Sequence, residues 1–114
     1  MAEKLEMTDN VVSNEMICSI ASMAAAGVDG VEKLFMRLSD ELMDAIYPSA
    51  VAQGVKVTEY DDGYQIDLHV ITRSNVEIPK VAQQVQIRVK ESVEIMTGKN
   101  VSRVNVFVKG SGKY

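Results

Sequence analysis

The chain contains no tryptophan, only two phenylalanines and four tyrosines, so its core has to be built from Val, Ile, Leu, Ala and Met. A single cysteine, Cys18, excludes an internal disulfide and fits a reducing compartment. Long apolar runs are missing too. No stretch approaches the roughly 18 consecutive apolar residues that a membrane-spanning helix needs. The first ten residues, MAEKLEMTDN, are too charged for the apolar core of a signal peptide. The expectation is a cytoplasmic protein without direct membrane insertion, any membrane contact running through a partner. Positive charge is in the minority. Twelve Lys and Arg against sixteen Asp and Glu leave a net charge of −4, which opposes generic attraction to nucleic acid or to an anionic membrane.

What is present is ordinary globular material. With 114 residues, 46% hydrophobic and 25% charged, the chain suits one domain that buries roughly two thirds of its unfolded surface. Residues 1–12 read as a flexible N-terminal arm, 13–110 as a single domain and 111–114 as a flexible tail. From Ser13, a suitable N-cap, Met16, Ile17, Ile20, Ala24 and Val28 follow helical spacing, with Cys18 on the side away from that stripe. Val31, Leu34, Phe35, Leu38, Leu42, Ala45 and Ile46 predict a second amphipathic helix over 31–46, ended at Tyr47-Pro48.

Strand patterns follow. Val55 to Tyr60 is a short strand, Asp61-Asp62-Gly63 a tight turn, and Tyr64 to Thr72 its alternating return. Pro79 opens a helix whose stripe is Val81, Ala82, Val85, Val89, Val93 and Met96, stopped by Gly98. Val101 to Lys109 is the last strand. The order α-α-β-β-α-β predicts an α+β fold, with a three-stranded mixed sheet and helices packed mainly on one face.

Reactive constellations are absent from this pattern. Asp67 and His69 share a strand face, half of a metal or acid–base site, but no second His or Cys partner completes it, and a polar pair on a partly solvated sheet surface is the stronger reading. A catalytic Cys18 would need an activating neighbour that the sequence does not supply. No catalytic residue, metal, cofactor or small-molecule substrate is expected. Alternation along the strands instead assembles a mixed outer face with an apolar seam of Tyr60, Ile71 and Phe107, accompanied by His69, Arg103 and Lys109. Three occupants compete for it: the 31–46 segment folded back, a protein partner or second copy, and single-stranded RNA stacked on the aromatics. The acidic balance weighs against RNA, which stays the alternative.

The chain also resembles a known family in the order and spacing of its motifs. These are the helix from Asn14 to Ala25 with Val28-Asp29-Gly30-Val31 after it, Asp67-Leu68-His69-Val70, Ile78-Pro79-Lys80-Val81-Ala82, Val85-Gln86, Val89-Lys90, Val93-Glu94, Met96-Thr97-Gly98 and Val104-Asn105-Val106. In these it is similar to the alkaline shock protein family, also called the cell-envelope stress response family of Gram-positive bacteria. It departs at residues 34–50, where members commonly carry a glycine-rich loop. The resemblance implies a small non-catalytic scaffold acting in envelope stress or homeostasis. It would self-associate as a homo-oligomer or bind a membrane-anchored protein partner.

Overall fold

A computed structural model describes residues 13–35 and 54–110 of the chain. Within them run α1 (Asn14–Ala26), β1 (Val31–Leu34), β2 (Val55–Tyr60), β3 (Gly63–Thr72), α2 (Ile78–Thr97) and β4 (Val101–Lys109). The fold is α+β, as the sequence predicts, with a correction to the sheet. Residues 31–34, expected to begin a helix, form a strand, and the mixed sheet has four strands instead of three. Residues 36–46 of that expected helix lie outside the described residues, as do the expected arm (1–12) and tail (111–114).

β3 is the hub of the sheet. β4 runs parallel to it from Tyr64↔Val101 to Ile71↔Lys109. β2 pairs antiparallel with its first half, from Val55↔Leu68 to Tyr60↔Gly63, and β1 antiparallel with its last residues, from Val31↔Thr72 to Leu34↔Val70. Because β4 fills one edge of β3, β1 and β2 lie end to end along the other. A Cβ placed on Gly54 would collide with the Phe35 carbonyl oxygen, so the chain leaves β1 and returns to β2 at nearly one point.

Alternation along β3 turns Tyr64, Ile66, Leu68, Val70 and Thr72 toward the helices, all of them buried. α1 is capped by the Ser13 hydroxyl, which accepts from the Met16 N–H at 3.1 Å. Its inward face is Ile17, Cys18, Ala21, Ser22 and Ala25; of the expected stripe, Ile17 and Val28 are buried and Ile20 and Ala24 pack partly against the core, but Met16 is 46% exposed and Cys18 points inward. Small side chains win this face because they let the helix approach the sheet closely.

In α2, Val81, Val85, Val89 and Val93 form one buried row, while Met96, expected in that row, is exposed. Valine disfavours a helix by roughly 0.6 kcal/mol per residue, whereas burying its side chain contributes at least about 1.5 kcal/mol. Packing therefore decides this helix. Gly98, in a left-handed conformation, ends it.

Two α2 side chains fasten the start of β4. Lys90 Nζ donates to the Val101 carbonyl at 2.7 Å and to Glu94 at 3.1 Å, and the Glu94 carboxylate accepts from the Val101 N–H at 2.9 Å. That backbone bond, reinforced by Lys90, holds the Glu94 carboxyl below its ordinary value of 4.5. A depressed carboxylate contributes stability above its unfolded value and loses it as pH falls through the folded one. Glu94→Gln is therefore expected to reduce the drop in urea midpoint between pH 7 and acid conditions below the ordinary value. Equal drops in the variant and the parent would refute a stabilising role for the ionised carboxylate.

Candidate interaction surface

The sheet face turned away from both described helices is organised in rows across β3. Lys33, Ile71 and Lys109 form the first, since Ile71 pairs with both lysines. Phe35, His69 and Phe107 form the second: the Phe35 N–H donates to the His69 carbonyl at 2.9 Å, and His69 pairs with Phe107. Lys56, Asp67 and Asn105 make the third, and Thr58, Gln65 and Arg103 the fourth. This order follows from strand alternation combined with register, and it is rigid because three strands fix it.

The aromatic row is packed together. The His69 ring stacks on Phe107 with centroids 4.9 Å apart and planes 18° apart, and meets Phe35 edge-on at 5.4 Å. Lys109 Nζ lies 5.8 Å from the centre of the Phe35 ring, reaching across β3 from the opposite edge. His69 is 4% exposed, whereas Phe107 remains 45% exposed. The histidine thus braces the cluster from below and Phe107 presents the apolar surface. In the next row the Asp67 carboxylate accepts from Asn105 at 2.9 Å and from Gln65 at 3.3 Å, so it is held by amides rather than standing as an open acid.

Of the six expected surface residues, Ile71, His69, Phe107 and Lys109 come together. Tyr60 pairs with Gly63 at the hairpin end, six β3 residues from His69 and so roughly 20 Å away. It lines an open hollow of about 550 Å³ with Asp61, Asp62, Gln65, Ser102 and Arg103. The seam drawn from Tyr60 to Phe107 is therefore two patches. Phe35 and Lys33, which complete the rows, are absent from the expected surface because their segment reads as a helix.

The thiol of Cys18 faces the Val55 carbonyl at 3.7 Å, and burial, with Glu15 nearby, pushes it up to about 11. It is a packing residue at neutral pH. Among the described residues no three His, Cys, Asp or Glu gather as metal ligands, and no helix is long and apolar enough to cross a membrane.

Comparison with known proteins places this geometry. A solved MamM-CTD structure superposes with a TM-score of 0.53 at 11% identity, covering 86% of this chain and 99% of that one. At that identity the likeness is one of fold. The uncharacterized protein YqhY of Bacillus subtilis (strain 168) is 31% identical over 99 residues, which is 87% of this chain and 73% of YqhY. The uncharacterized protein YloU of the same strain is 30% identical over 101 residues, covering 87% of this chain and 84% of YloU. A family model described by its cell envelope-related function matches residues 2–111, and with the motif order and the fold in agreement, the chain belongs to the alkaline shock protein 23 family.

Proposed function

We propose that this protein is a non-catalytic association domain serving an envelope-related role from the cytoplasmic side. The outer face of its sheet is the binding surface, either for a second copy or for a protein held at the membrane. One observation carries the reading: both described helices pack on one side of the sheet, while the other side presents Phe107 on a braced aromatic row with lysines beside it. An exposed apolar patch rimmed by polar groups is the physical signature of a contact site. Affinity comes from covering the ring surface, and the surrounding charges set register. Reaching the envelope through a partner agrees with the lack of any spanning helix among the described residues.

The test is a double substitution, Ile71→Asp with Phe107→Asp. Both residues lie on the outer face, so the helical core is untouched and circular dichroism is expected to stay native. Light scattering is expected to show an assembly reduced to monomer, or, for a partner bound in cells, crosslinked capture is expected to lose that partner. A protein that is monomeric with both sequences and captures the same partners with both would defeat the proposal.

A further inference from the structure

We infer that the partner segment this face takes is an acidic amphipathic helix laid along β3, an inference that rests on the association reading above. The charge is the first reason. The three rows centred on Phe107 carry three exposed cations, Lys33, Lys56 and Lys109, against one carboxylate, Asp67, in a chain whose net charge is −4, while Arg103 lies further along the sheet in the hollow with Asp61 and Asp62. Positive charge is thus concentrated where the rest of the molecule is acidic, and electrostatic complementarity calls for an acidic occupant.

Spacing is the second reason. Rows on one face repeat every two residues, about 6.7 Å. The Lys33/Lys109 row and the Lys56 row therefore lie about 13 Å apart, with the Phe35/His69/Phe107 row midway. An α-helix rises 1.5 Å per residue, so four residues span about 6 Å and eight about 12 Å. A helix parallel to β3 with an acid, an apolar residue three or four positions later, and a second acid after the same interval matches all three rows. Phe107 receives the apolar anchor, while the lysines on either side receive the acids.

The aromatic geometry argues for polypeptide over single-stranded RNA. Single strands stack successive bases on a series of open rings, but here His69 is buried, the Phe35 ring is engaged by His69 and Lys109, and only the exposed part of Phe107 stays open, which is one platform instead of a series.

The experiment is fluorescence anisotropy on the full chain at low and physiological salt. The probes are a labelled synthetic helical peptide with the Glu-x3-Leu-x3-Glu pattern, its Lys-x3-Leu-x3-Lys counterpart, and an oligouridine strand. The acidic peptide is expected to bind and the basic one not to. Reversing Lys33→Glu with Lys109→Glu is expected to weaken the acidic peptide roughly tenfold and to give the variant affinity for the basic peptide. Circular dichroism of the reversed variant is expected to match the parent, which separates that gain from misfolding. Binding of oligouridine in place of the acidic peptide, or peptide binding indifferent to the reversals, overturns the inference. If the acidic peptide fails while Ile71→Asp with Phe107→Asp still disrupts association, this inference falls and the association reading stands; if both fail, both are lost.

Discussion

Leu68→Ala is expected to lower the unfolding free energy by about 3–4 kcal/mol, the cost of emptying a core site that neighbours cannot collapse into. Leu68 is fully buried in the central strand, paired on one side with Val55 and on the other with Val106, and its side chain faces the helical layer. Both lateral neighbours are fixed by ladder hydrogen bonds, so relaxation is limited. Against a total stability of roughly 5–15 kcal/mol, this is a large fraction. The melting temperature is expected to fall by roughly 15 °C. Ile95→Ala, at a position 80% exposed, is the control and is expected to stay within about 0.5 kcal/mol of the parent. Similar losses from the two variants in thermal and urea melts would mean the core is not centred on β3.

Gly63→Ala is expected to cost about 2–3 kcal/mol, for a reason unrelated to core volume. Gly63 has φ of 137°, a region where side chains are strained, and a Cβ there would lie 2.6 Å from Asn100 Nδ2 and 2.7 Å from the Asn100 carbonyl oxygen. Those are the two atoms that join the hairpin to β4's approach: Asn100 Nδ2 donates to the Asp62 carbonyl at 2.6 Å, and the Tyr64 N–H donates to the Asn100 carbonyl at 2.9 Å. A methyl group forces both apart. Gly98→Ala separates the two causes, because φ there is 72° but no atom lies within 4 Å. It is expected to cost about 1 kcal/mol, the dihedral penalty alone. Urea midpoints that fall equally for the two variants would show that the approach to Asn100 carries no weight.

The parts of the fold legible in the sequence are those whose periodicity is unbroken. Alternation from Tyr64 to Val70, the valine row of α2 and the Asp-Asp-Gly turn each follow one local rule, and each element forms where that rule puts it. β1 breaks the rule. Its register slips between Val31 and Lys33, so Val31 and Leu34 both turn inward at a spacing of three. Three is also a helical interval, and with Phe35 and Leu38 following, the segment imitates an amphipathic helix. A four-residue strand has little local signal of its own and exists because β3 is there to pair with it. α1 shows the opposite weakness: hydropathy favours Met16, but close packing selects Cys18, Ala21 and Ser22. For the surface, the β3 and β4 contributions were readable from alternation, while Phe35 and Lys33 were hidden by the same slip that disguised β1. For Tyr60, alternation gives the side of the sheet, but only register gives its position along β3, at the hairpin end away from His69.

Phe35 and Gly54 abut, so the end of β1 and the start of β2 are pinned beside each other along β3. Closing the chain between two ends that already meet costs free energy that grows only logarithmically with the number of residues between them, about 0.6 kcal/mol per doubling. A reporter domain with neighbouring termini could be spliced between those two positions without altering any strand pairing described for the sheet.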